Sequence, residues 1–120
     1  MRSSNIVNSI LLLSNIFMLA TGQIFFKLGL GKIGGVNLNN AWKAMFNIHI
    51  IAGLILYVFA TLIWFVVLSR IPLSVAYPIQ SIAYVLGLLA ALLIFNEPVS
   101  AMKWLGMMII MLGVVIIAVD

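Results

Sequence analysis

Cysteine is absent from the chain and histidine occurs once. A disulfide framework, a thiol nucleophile and the Cys/His sets that hold zinc are therefore excluded. The only acids are Glu97 and Asp120, too few and too far apart in sequence for paired-carboxylate chemistry. No nucleophile–base pair or metal cluster is visible, so the chain reads as a non-enzyme with no cofactor and no metal. Charge of either sign is scarce, at 7% of 120 residues, where a soluble domain carries about 25%. The basic residues Arg2, Lys27, Lys32, Lys43, Arg70 and Lys103 give a formal charge of +4 but stand singly. They form no basic stripe, and nucleic acid is not an expected partner. At membrane edges such residues anchor helices and bias orientation.

What the chain has in abundance is apolar surface: 66% of its residues are hydrophobic. Lipid is the solvent that suits this composition, and membrane lipid is the first partner it implies. Four stretches, about 6–30, 48–68, 72–95 and 101–119, approach or exceed the ~20 apolar residues that a spanning helix needs. Hydrocarbon offers the backbone no hydrogen-bond partner, so each is expected as helix. The expected fold is an all-α membrane protein in which residues 1–120 form a single domain of four transmembrane helices. Arg2, the apolar run Ile10 to Ala20 and the small residues Ala20 to Gly22 give the first stretch a faint signal-peptide character. The apolar run continues through Phe26 and the cleavage pattern is poor, so this stretch is expected to stay as a span.

The connections set the topology. Gly31 to Asn47 is the one long link, with Gly34–Gly35 and Asn37, Asn39 and Asn40 marking loop. Asn40 is expected to cap a helix starting at Ala41, with Trp42 and Lys43 at headgroup level. Ser69-Arg70-Ile71, closed by Pro72, and Asn96-Glu97-Pro98-Val99-Ser100 are short, so spans two to four are successive antiparallel hairpins with no room for a soluble domain. Arg2 and Arg70 fall on the side of Asp120. Lys32, Lys43 and Lys103 fall on the other, with Lys27 if it reaches that interface. This slightly favours a cytoplasmic long loop and also permits both orientations.

Polar residues at membrane depth are the candidate site. Asn8, Asn15 and Gly22 recur at seven-residue spacing and share a face, with Gln23 and Lys27 one turn apart on the face beside it. One reading has Asn15 bonding a neighbouring helix while Lys27 snorkels to the headgroups. The other makes Gln23 and Lys27 the wall of a substrate path, with Lys27 suited to an anion. In span three, Pro78 cannot donate to the Ser74 carbonyl, so a kink or unwound turn is expected there. Tyr77, Gln80, Ser81 and Tyr84 fall on one stripe beside it, either packing between helices or lining a wet cavity. Gly106 and Gly113 share a face of the otherwise apolar fourth span and mark a surface for helix association. Glu97 reads as an interfacial residue favouring a helix start or pairing with Lys103. His49 reads as interfacial, Trp64 as lipid-facing, and the seven methionines as packing filler.

Ile71-Pro72-Leu73-Ser74-Val75-Ala76-Tyr77-Pro78-Ile79-Gln80-Ser81 resembles the start of the third helix of small multidrug resistance transporters. Asn96-Glu97-Pro98-Val99-Ser100, with Trp104, Gly106 and Gly113-Val114, is similar to the final hairpin of the wider drug/metabolite transporter superfamily (EamA-like proteins). Multidrug members carry a glutamate in mid-helix one, where substrate and protons compete; counted back from Lys27, that position is Leu19. Gly22-Gln23-x-x-x-Lys27 and Ala76-Tyr77-Pro78 instead resemble the branch containing the aminoarabinose–undecaprenyl phosphate flippase subunits, which act on polyprenyl-phosphate-linked sugars in the bacterial cytoplasmic (inner) membrane. The resemblance implies a small multidrug resistance-like fold that works as a homodimer or as a heterodimer with a related four-helix subunit. Its substrate path would include Asn15, Gln23, Lys27, Tyr77, Gln80, Ser81 and Tyr84, its hinge Pro78, and its dimer seam Gly106 and Gly113. The leading expectation is a flippase subunit for a lipid-linked sugar or similar amphiphile. A small-molecule or cation exporter with unusual coupling, and a non-transporting assembly subunit, are the alternatives.

Overall fold

The computed structural model describes residues 2–120, with side chains from Asn5 onward; the side chain of Arg2 lies outside the described residues. It contains α1 (Arg2–Lys32), a 3-10 helix (Ala41–Phe46), α2 (Ile48–Arg70), α3 (Leu73–Ile79), α4 (Ile82–Leu93) and α5 (Ala101–Val119). Taken together, α3 and α4 form one span, Leu73–Leu93, so four helical spans are long and apolar enough to cross a membrane. This is an all-α, multi-pass membrane protein.

The sequence explains where the helices stop. Beyond α1 the Gly35 N–H reaches the Leu30 carbonyl at 2.8 Å, a turn that needs positive φ at Gly34 (77°). Asn37 and Asn40 then bond across the loop: Asn37 Oδ1 accepts from the backbone N–H of Asn39 and Asn40, and Asn40 Oδ1 accepts from that of Asn37. Asn40 is thereby consumed and makes no side-chain cap, contrary to expectation, and the segment after it is a short 3-10 helix. Lys43 Nζ lies 5.7 Å over the Trp42 ring there. The cap falls to Asn47, whose Oδ1 accepts from His49 N and Ile50 N at the start of α2. Asn96 takes φ 53° after α4, where the Glu97 N–H closes on the Ala91 carbonyl. Asn is one of the few residues other than Gly that visit this region readily. Ser100 then caps α5 through the Lys103 N–H.

The seven-residue stripe of α1 is its seam with antiparallel α2. Asn8 Oδ1 accepts from Arg70 Nη1, Asn15 Nδ2 donates to the Ala60 carbonyl, and Gly22 lies against Gly53 and Tyr57. Gly29, seven residues further on, lies against Asn47 and Ile50. A β-carbon on Gly53 would stand 3.0 Å from the Gly22 carbonyl oxygen, so these two glycines let the backbones approach. A hydrophobic core of Leu12, Ile16, Val67 and Ala76, flanked by Ile63, Ile79 and Leu86, fills the bundle toward the end that carries Arg70. By contrast α5 packs against α3 and α4 and buries only Val114.

Candidate functional site

The third span is broken two residues after Pro78. The Ser81 N–H and hydroxyl both donate to the Pro78 carbonyl, at 3.0 and 2.5 Å, and Ala83 and Tyr84 donate back to Gln80 and Ser81. These three-residue steps replace the α-pattern over Gln80–Ser81, and α4 starts afresh at Ile82. Pro78 removes a donor on its N-terminal side, while Ser81 captures its carbonyl on the other.

The break is held to the rest of the bundle by two amides. Asn15 is 1% exposed. Its Nδ2 donates to the Ala60 carbonyl at 2.7 Å, and its Oδ1 accepts from Gln80 Nε2 at 2.9 Å. One buried side chain thus ties α1 to α2 and to the break. About two turns further along α1, Gln23 Nε2 donates to the Tyr57 hydroxyl, and the Tyr57 ring packs at a tilt against Phe26, with centroids 5.2 Å apart.

Between these elements lies a cavity of about 930 Å³. α1 contributes Asn15, Leu19, Ala20 and Gln23, and α2 contributes Tyr57, Ala60, Thr61 and Trp64. The third span supplies Tyr77, Pro78, Gln80, Ser81, Ala83, Tyr84 and Gly87. No charged residue lines it, and Leu19 contributes an aliphatic side chain there. Tyr77 and Tyr84 are 64% and 71% exposed, so the cavity opens sideways past α3 and α4. The hydrophobic core closes it toward the Arg70 end.

Six of the residues expected along a path (Asn15, Gln23, Tyr77, Gln80, Ser81 and Tyr84) share this wall with Pro78. Lys27 does not. It is exposed one turn beyond Gln23 and, with Gly29 beside Asn47 and Ile50, lies level with the first turn of α2. From there its chain can reach headgroups. Gly106 is exposed and lines a narrower groove of about 210 Å³ between α4 and α5, with Tyr84 and Lys103; a β-carbon on Gly106 or Gly113 would meet nothing within 4 Å.

The α2 wall was not anticipated. Trp64 faces the cavity and its ring lies 6.3 Å from that of Tyr77, rather than facing lipid, because α2 must turn its Gly53–Ala60 side to α1. The signal was present: Tyr57, Thr61 and Trp64 sit at i, i+4 and i+7 on one face of a helix whose other central residues are apolar. His49 is half-buried beside Phe25 and its Nδ1 is buried without a partner.

The sequence profile of the EamA-like transporter family matches residues 3–119. Among curated proteins, the chain is 30% identical over 123 aligned positions to the "probable 4-amino-4-deoxy-L-arabinose-phosphoundecaprenol flippase subunit ArnF" of Shewanella sediminis, covering 90% of this chain and 85% of that one. It is 47% identical over 58 residues to the protein named as the ArnE subunit in Serratia proteamaculans, a match spanning 48% of this chain and half of that protein. To the ArnE of Aeromonas salmonicida it is 37% identical over 76 residues, 63% of this chain and 67% of the relative. No solved structure matches the chain. With nearly its whole length matched and the four-span fold in place, the chain belongs to the EamA-like transporter family.

Proposed function

We propose that this protein is one subunit of a flippase that carries a polyprenyl-phosphate-linked sugar across the bacterial cytoplasmic membrane. The observation that carries this reading is the laterally open cavity of about 930 Å³, walled by amides, hydroxyls and aromatic rings with no carboxylate. A cation exporter needs a negative group to compensate its substrate's charge on desolvation, and this wall has none. A sideways opening lets a headgroup enter while its lipid tail stays in the bilayer. The names of the ArnE and ArnF relatives point to the same substrate class.

Transport proceeds by alternating exposure of the cavity, with the Pro78–Ser81 break as hinge. Gln23 and its neighbours receive the headgroup, and Lys27, at the rim, receives the phosphate. A second four-helix subunit, either another copy or a relative, pairs with this one through the Gly106–Gly113 face of α5.

The test is lipid flipping in proteoliposomes by the chain with its partner subunit, using a polyprenyl phosphate that bears an amino sugar. Gln23→Ala and Lys27→Ala are each expected to lower the initial rate by about tenfold, the loss of one polar contact made along the path. Unchanged rates in both variants would remove these residues from the path. No flipping by the unaltered pair would remove the function.

A further inference from the structure

A charge-free cavity is an odd receptacle for a phosphate ester, and its hydrogen bonds show what it receives instead. The Ala60 carbonyl can only accept, so Asn15 must turn its Nδ2 toward it. That leaves Oδ1 for Gln80, which must in turn present Nε2 to Asn15. The amide orientation of Gln80 is therefore dictated by a backbone carbonyl two residues away in the chain of contacts. Its Oε1 has no protein partner among the described residues, and Gln80 lines the cavity, which leaves this oxygen to accept from a ligand there.

Two hydroxyls, of Ser81 and Thr61, are biased the same way. The Ser81 proton is committed to the Pro78 carbonyl at 2.5 Å and the Thr61 proton to the Tyr57 carbonyl at 2.8 Å. Both oxygens therefore show the cavity only lone pairs. The Gln23–Tyr57 pair differs, because a phenol can donate or accept and either pairing is satisfied. Gln80, Ser81 and Thr61 thus offer acceptors, while the Trp64 indole N–H and the Tyr77 and Tyr84 hydroxyls can donate, all in a wall without a cation.

We infer that the cavity recognises a donor-rich, amine- or hydroxyl-bearing headgroup through Gln80, Ser81 and Thr61, and excludes the phosphate, which stays outside. This rests on the flippase reading above and assigns the parts of its substrate. A phosphate carries negative charge into a low-dielectric site whose lining holds no cation to neutralise it. A sugar hydroxyl or ammonium offers donors to Gln80, Ser81 and Thr61. The Trp64 and Tyr77 rings, 6.3 Å apart, supply an apolar wall for the ring face of the sugar. The cations that could meet the phosphate, Lys27 and Lys103, both lie toward the opposite end of the bundle from Arg70, with Lys103 sharing Tyr84 as a groove neighbour.

The test is equilibrium binding to the full chain in nanodiscs, read from Trp64 fluorescence with Trp42→Phe and Trp104→Phe in the background. The probes are a short polyprenyl phosphate bearing an amino sugar and the same polyprenyl phosphate without sugar. The sugar-bearing lipid is expected to bind at least about tenfold more tightly, as at a site built to pair a substrate's donors. Gln80→Leu should reduce that preference to within about twofold by weakening the sugar-bearing lipid alone. Thr61→Val, at an exposed position, should weaken the same probe in the same direction and keeps the test open if Gln80→Leu fails to fold. Equal binding of both probes to the unaltered chain overturns the inference and leaves the flippase reading standing. Binding of neither probe overturns both.

Discussion

A side-chain amide within a membrane bundle needs partners where water is scarce, and Asn15 finds one acceptor and one donor by bridging two interfaces. Replacing it with Ala strands the Gln80 amide and leaves a small void. The expected cost is about 1–2 kcal/mol, because such bonds in membranes are worth less than their burial suggests. Denaturant unfolding in detergent measures this, and the Asn15→Ala/Gln80→Ala double variant should cost less than the sum of the two single changes. Additive costs would mean that the two amides act independently. From sequence alone Asn15 is a polar residue at depth, and its shared face with Asn8 and Gly22 is evident. What it bonds is not, since seven-residue spacing defines a stripe without saying which helix covers it. The reverse holds for Tyr57, Thr61 and Trp64, whose spacing was readable but whose side of α2 depended on the glycine contact that turns the helix.

Among the helices, the broken third span is the element on which the site depends. Pro78 announces the break, but its location at Gln80–Ser81 depends on which carbonyl the Ser81 side chain captures. Pro78→Ala restores the missing N–H and is expected to let α3 and α4 join as one helix. Amide exchange at Ile82–Tyr84 should then slow, and flipping should fall even though the fold persists. Unchanged exchange would show that the break is held by Ser81 and its neighbours alone. Helix starts divide in the same manner. Ser100 caps α5 from its place before an apolar run, whereas the cap expected of Asn40 at Ala41 does not form and Asn47 caps α2 instead. Asn40 lost the role because Asn37 engages its side chain first.

Across the molecule, α1 to α4 enclose the core and cavity while α5 presents Leu105, Met108, Ile109, Leu112, Val115 and Ile116 outward. Two glycine pairs have opposite fates. Gly22 and Gly53 are used within the chain, while Gly106 and Gly113 have open space above them. If the α5 face is the subunit seam, a cysteine placed at Gly113 should form an oxidative cross-link in native membranes. One placed at Ile10, exposed on α1, should not. The chain's lack of cysteine makes every cross-link attributable. Cross-linking only when a related subunit is co-expressed would establish a heterodimer, and equal cross-linking at both positions would discard the seam.

The four spans, announced by composition and run length, were determined by the sequence by itself, since hydrocarbon tolerates hardly any backbone but helix. So was the gathering of polar residues on the first and third spans. Tertiary structure decided that these stripes meet across one cavity, that α2 completes its wall, that Lys27 stays out of that wall and that Gln80 turns its amide nitrogen to Asn15. The physical reason is that periodicity fixes which residues share a face, while only packing fixes what each face meets, and a hydrogen bond has direction only once its partner is in place.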